Sequence, residues 1–156
     1  MFSLMIELDD FSAAHRLVKG YRGKCNHLHG HNYRLEIVIT GDMDTEGDDL
    51  LIDFSVVRSI CNEWIRNNID HCTFVYSEDK LLLNFLSQHQ QKHYVLPYNT
   101  SVERIAQQIY ENFHRLLCAE SATRNFTISQ VQVWESRECS VIYAGNKTQV
   151  QGTFCG

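Results

Sequence analysis

The sequence predicts an α+β domain built on a four-stranded antiparallel sheet with two main helices on one face. Three observations lead there. Apolar and polar residues alternate along both ends of the chain, at 2–17 and at 126–144. One long β-rich run lies at 31–40, His-Asn-Tyr-Arg-Leu-Glu-Ile-Val-Ile-Thr. Between the two sheet halves, 55–68 and 102–117 carry apolar residues at helical spacing. The 156 residues make one domain with room for a core, with no repeat or low-complexity stretch.

The first strand runs through Leu4, Ile6 and Leu8. Its phase breaks at Asp9-Asp10, after which Phe11, Ala13 and His15 share a side, so a bulged strand is expected. A glycine-bearing, basic connection over 18–30 leads to the strand at 31–40, with which it forms an antiparallel pair. His15, His29 and His31 then fall at one end of that pair. The acidic segment 41–49 places Asp42, Asp44, Glu46, Gly47 and Asp53 loosely on a calcium-loop spacing, but it is flanked as a solvated loop. In the helix at 55–68, Val56, Val57, Ile60, Trp64 and Ile65 form the stripe, and Ser55 or Asp53 can cap it. Residues 78–90 form a minor helix and 93–97 a short extended piece ending at Pro97. Thr100-x-x-Glu103 fits a capping box for the last helix. A hairpin over 126–144 turns at Glu135-Ser136-Arg137-Glu138, and a polar tail follows from 145.

Composition excludes several roles. Hydrophobic residues are 44%, charged residues 21%, and net charge is −5. A phosphate-gripping nucleic-acid partner needs a basic face, so none is expected. No apolar run reaches a membrane span and no secretory signal is visible. The six cysteines form no Cys-x-x-Cys pair, which fits reduced thiols in a cytoplasmic protein. In that setting the sequons at Asn125 and Asn146 stay unused.

The chemistry concentrates in Cys25-Asn-His-Leu-His29-Gly30-His31. His29 and His31 are two apart, so in a strand they point the same way. With His15 they offer three nitrogens to a divalent metal, zinc above all. A site lacking a fourth protein ligand is catalytic in type. Cys25 beside such a charge could be a thiolate, able to move a proton or attack. Asp70-His71 reads as a surface pair or as an acid/base histidine supported by a carboxylate. Glu103 reads as a helix cap or a ligand group. Glu135 reads as a solvated turn residue or one facing a cavity.

Phe11-Ser12-Ala13-Ala14-His15, Cys25-x-x-x-His29-Gly30-His31-Asn32-Tyr33, Asp53-Phe54, Asp70-His71, Thr100-x-x-Glu103 and Glu135 together resemble the 6-pyruvoyltetrahydropterin synthase family, from about Phe11 to Tyr143. The resemblance implies zinc on His15, His29 and His31, with Cys25 as proton acceptor. It implies a relay of Asp70, His71 and Glu135, and a pterin anchored by Glu103 with Thr100 and Ser101. It implies subunits joined edge to edge into a barrel, as a hexameric dimer of trimers or a related ring, with sites shared between subunits. The three-residue gap between Cys25 and His29 resembles the bacterial 6-carboxytetrahydropterin synthase branch. That branch converts 7,8-dihydroneopterin triphosphate to 6-carboxy-5,6,7,8-tetrahydropterin, acetaldehyde and triphosphate, on the way to queuosine. The alternatives are the pyruvoyl-forming activity, by triphosphate elimination, and a non-catalytic zinc- or pterin-binding module. Two stretches depart from the family pattern: Cys72-Thr73-Phe74-Val75, where Leu-Asn is common, and a longer 77–96 segment.

Overall fold

A computed structural model of the chain describes residues 1–43, 45–120 and 124–145. Asp44, Cys155, the sequon at Asn146 and the polar tail from 146 onward lie outside them. The elements are β1 (Phe2–Glu7), β2 (Phe11–His15), a 3-10 turn (Lys24–Asn26), β3 (His29–Gly41), α1 (Phe54–Asn68), β4 (Cys72–Tyr76), α2 (Lys80–Gln88), β5 (His93–Leu96), α3 (Val102–Cys118), β6 (Phe126–Trp134) and β7 (Ser140–Tyr143).

The expected sheet of four antiparallel strands is corrected, among the described residues, to seven strands in a mixed sheet, with three helices. The order is β5-β4-β2-β3-β6-β7, with β1 also paired to β3. β3 is the spine. Its first half pairs with β2 and its second half with β1, both antiparallel. The predicted bulge is present, since Leu8, Asp9 and Asp10 stand opposite only Arg34 and Leu35 between the pairs Glu7↔Glu36 and Phe11↔Tyr33, and it divides the strand into β1 and β2. There Leu8 N still donates to Leu35 O on β3, whereas Asp9 N leaves the ladder and donates to Asn62 Oδ1. The two missed pairings are parallel, β2 with β4 and β4 with β5. β6 pairs with β3 across a register shift at Val38/Ile39, where Ser129 Oγ donates to the Val38 carbonyl.

The strand period decides what faces the core. In β3, Tyr33, Leu35, Ile37 and Ile39 are all fully buried. Burying such side chains stabilises the fold by about 1.5–3 kcal/mol each. His29 and His31 continue the same odd phase, as His15 continues that of Phe11 and Ala13 in β2. The histidines thus lie where the core-facing surface runs out.

The helices cover this core. α1 is capped by Asp53, which accepts from Ser55 N at 2.7 Å, and buries Val57, Cys61 and Ile65. That use of Asp53 leaves the loose calcium spacing without one of its carboxylates. α3 buries Ile105, Ile109, Phe113 and Leu117, one per turn. The capping box expected at Thr100 does not form. The N-cap is Ser101, which makes no side-chain cap bond, while Thr100 is buried and donates its hydroxyl to the Arg16 carbonyl. α2 packs Leu82 and Leu86 on Val75 in a small separate cluster. Among the described residues no helix is long and apolar enough to cross a membrane, and the five described cysteines are free thiols.

Candidate metal centre and active site

His15 pairs with His29 across β2 and β3, which brings three imidazoles together. One ligand atom from each of His15, His29 and His31 lies within 4.8 Å of the others, and ring centroids are 4.6–5.2 Å apart. Backbone carbonyls fix two of the rings. His15 Nδ1 donates to Thr100 O at 2.6 Å and His29 Nδ1 to His27 O at 2.8 Å. Each ring then keeps a lone pair on Nε2, as a metal ligand requires. Burial lowers the pKa of His15, partly offset by the Thr100 carbonyl and Glu135, and burial lowers that of His31, partly offset by Glu135. Both effects favour the neutral, ligating imidazole. Nε2 of His15 and of His31 are buried with no hydrogen-bond partner. Unpaired buried nitrogens are costly unless something else satisfies them, so the donor set fits a zinc ion well.

Glu135 directly follows β6 and points into this cluster instead of out to solvent. Its Oε1 lies 3.4 Å from His15 Nε2 and 3.7 Å from His31 Nε2. Tyr33 also packs on His31, its hydroxyl buried and unpartnered, and burial raises its pKa. The His-Gly-His-Asn-Tyr run signalled Tyr33 only as a motif member, because an aromatic at that phase is also what a core requires.

The other predicted residues flank the centre. Cys25 sits half-buried in the 3-10 turn, its carbonyl accepting from Leu17 N at 2.8 Å. Tyr21 hydrogen-bonds to Cys25, which raises the tyrosine pKa. Asp70 and His71 form a pair with Nδ1 3.0 Å from Oδ1, and the His71 side chain is 80% exposed. His71 has φ 57°, a strained value for a non-glycine residue, held by its N–H bond to Ser12 O. Burial opposes ionisation of Asp70, but the Ser12 amide and His71 outweigh it and hold the carboxyl below its usual range. A cleft of about 410 Å³ joins His31, Asn32 and Ser12 to His71, and Cys25 lies outside it. Thr100 touches the histidine cluster through its carbonyl, while Glu103 is exposed in the first turn of α3.

Sequence signals missed a supporting layer. Arg16, next to His15, makes a two-pronged bond to Asp79 at 2.6 Å and 2.6 Å. Asp79 also caps α2 through Leu82 N, and Asn99 accepts from Val18 N. These groups come from the 77–96 segment and the loop after it, so that segment clamps the strand end bearing His15.

The profile of the family described as 6-pyruvoyl tetrahydropterin synthase matches residues 5–146. A 6-carboxy-5,6,7,8-tetrahydropterin synthase from Haemophilus influenzae is 34% identical over 142 residues, 87% of this chain and 94% of that protein. A protein of the same name from Rickettsia typhi is 31% identical over 133 residues, 85% and 93% of the two chains. In fold, the chain is similar to 6-pyruvoyl tetrahydropterin synthase from Plasmodium vivax, with TM-score 0.69 and 21% identity, covering 93% of this chain and 98% of that one. It is also similar to an uncharacterized Wolinella succinogenes protein, with TM-score 0.75, 14% identity and the same coverage.

Proposed function

This chain belongs to the 6-pyruvoyl tetrahydropterin synthase family, and on that footing we propose that it is a zinc-dependent 6-carboxytetrahydropterin synthase. It converts 7,8-dihydroneopterin triphosphate and one water to 6-carboxy-5,6,7,8-tetrahydropterin, acetaldehyde and triphosphate, as a step toward queuosine. The observation that carries the reading is the cluster of His15, His29 and His31, with two of its nitrogens buried and unpaired. The names of its bacterial relatives favour the carboxy-forming activity over the pyruvoyl-forming one.

His15, His29 and His31 hold the zinc. When bound, it supplies Lewis-acid polarisation of the substrate's side-chain oxygens. Cys25 accepts a proton from the substrate side chain on one face. His71, oriented by Asp70, moves a proton on the opposite face. Glu103 accepts the paired N–H donors of the aminopyrimidine edge, beside the Thr100 and Ser101 backbone. Glu135 is the relay carboxylate nearest the histidines. The exposure of His71 suits a site completed by a second subunit. The outer strands β5 and β7 carry exposed Val95 and Ile142, which supports edge-to-edge assembly of a homo-oligomer.

The test is incubation with 7,8-dihydroneopterin triphosphate and identification of products. Acetaldehyde with the 6-carboxy pterin is expected. A 6-pyruvoyl product without acetaldehyde would move the chain to the other branch, and no turnover would leave a binding module.

A further inference from the structure

We propose that the loop between β2 and β3 grips the triphosphate tail of the substrate through Lys19, Arg22 and Lys24. The inference rests on the pterin-synthase reading above and adds the place where the anionic end of the substrate lies.

The distribution of charge points there. The chain is acidic, with net charge −5, yet no aspartate or glutamate occurs between Asp10 and Glu36. Within that stretch Lys19, Arg22 and Lys24 follow one another in Lys-Gly-Tyr-Arg-Gly-Lys, and all three are exposed. Among the described residues none of them has a hydrogen-bond, ion-pair or ring partner for its charged group. The described lysines and arginines elsewhere are engaged by a carboxylate, a carbonyl, an amide or an aromatic ring. The one exception is Arg137, on the turn that follows Glu135, whose carboxylate reaches the histidines. The unpaired cations therefore lie on the two turns that border the histidine cluster.

The loop is built to hold these charges in place. At its base Leu17 N donates to Cys25 O and Asn26 Nδ2 to Leu17 O, both at 2.8 Å. Asn99 Oδ1 accepts from Val18 N at 3.0 Å, and its Nδ2 donates to Lys19 O at 3.3 Å. Gly20 turns the chain at φ 72°, where a Cβ would meet nothing, so conformation and not space calls for glycine. At Gly23 the reason is space, since a Cβ would lie 2.6 Å from Tyr21 Cζ. Tyr21 thus folds back toward Cys25 and leaves the three cations as the outer surface of the loop. Like charges held this close repel one another, and a bound polyanion relieves the repulsion. Arginine offers a fork to phosphate oxygens, and lysine a point charge. The acidic remainder of the chain disfavours a long polyanion such as nucleic acid, so a short one fits. The loop runs directly into Cys25, so a triphosphate held there sets the carbon chain that carries it beside the proton acceptor.

The test is calorimetric titration of inorganic triphosphate into the zinc-loaded protein at low salt. Zinc is measured before and after, so that metal stripped by the anion is not read as binding. Wild type is compared with a triple variant, Lys19→Gln with Arg22→Gln and Lys24→Gln. Each exposed cation–phosphate pair is worth about threefold in affinity, so the triple variant should bind about thirtyfold more weakly. Arg22→Lys and Lys24→Arg keep the charge and should stay within about threefold of wild type. Added salt should weaken the wild type more than the triple variant. Melting curves should coincide, because the three side chains have no partners to lose. With 7,8-dihydroneopterin triphosphate, KM should rise about as far while kcat holds, as for contacts made equally in ground and transition states. Equal triphosphate affinity in wild type and triple variant, or inorganic phosphate bound as tightly as triphosphate, would overturn the inference and leave the proposed function intact. Triphosphate affinity lost in the triple variant, in a chain that makes no pterin product, would uphold the anion site and overturn the proposed function.

Discussion

Asp79→Ala should destabilise the protein and weaken its metal site from a distance. The Asp79 side chain is 5% exposed, and its two oxygens receive Arg16 Nε and Nη2 at 2.6 Å each. One of them also accepts from Leu82 N at 3.3 Å as the α2 cap. Loss of the cap costs about 1 kcal/mol. Hydrogen bonds to charged groups are worth about 1.5–3 kcal/mol, but the Arg16 side chain keeps 23% exposure and regains some water, so the pair contributes about 2 kcal/mol. The sum is about 3 kcal/mol, or roughly 6–12 °C in Tm for a domain of this size. Urea unfolding of metal-free protein measures it. A double-mutant cycle with Arg16→Met should give a coupling of about 1–2 kcal/mol. The Arg16 bond holds the Asp79 carboxyl below its usual range, and the α2 amide helps, against the cost of burial. A depressed folded pKa gives stability that is complete above the unfolded aspartate value of about 3.9 and is lost as pH falls through the folded value. The wild-type advantage over Asp79→Asn should therefore persist at neutral pH and shrink below about pH 4. Because Arg16 follows His15 and its carbonyl receives Thr100 Oγ1, zinc affinity should fall as well. Destabilisation under about 1 kcal/mol, with no coupling to Arg16, would refute the clamp.

Cys25→Ala should keep zinc and fold but lose most turnover, read by metal analysis beside the product assay; loss of zinc would make Cys25 a ligand, and full turnover a bystander. Glu103→Gln should lower substrate affinity in a binding titration while Tm barely moves, because Ser101 is the N-cap of α3; equal affinity would remove Glu103 from the pterin site. Mixing Cys25→Ala with His71→Ala under subunit exchange should restore about a quarter of wild-type activity if the two groups come from different chains. Background activity after exchange confirmed by mass would place the site within one chain.

The histidine cluster was legible because strand geometry has a period of two. His29, His31, Tyr33, Leu35, Ile37 and Ile39 are one face of β3, and a bulge-free β2 carries His15 to the same end. The amphipathic helices were legible for the same kind of reason, with α1 ending three residues past Ile65 and α3 one past Leu117. β4 was not. Its five residues, Cys72–Tyr76, are buried on both sides and do not alternate, and parallel pairing with β2 and β5 depends on residues far along the chain. Thr100 misled for a local reason. Thr-x-x-Glu describes a cap, but the tertiary fold buries Thr100 and turns its hydroxyl toward Arg16. The direction of Glu135 was open in sequence because a residue at a hairpin end can face either way. Pairing of β6 with β3 aims it inward.

The central claim is that three histidines hold a zinc ion on which pterin conversion depends. Metal analysis of the purified chain, of its chelator-stripped form and of His29→Ala and His31→Ala tests it, with turnover followed in parallel. One zinc per chain is expected, lost in both variants. Conversion should stop in the stripped protein and return with one equivalent of zinc. Full zinc content in both variants, or full turnover by the stripped protein, would contradict the account.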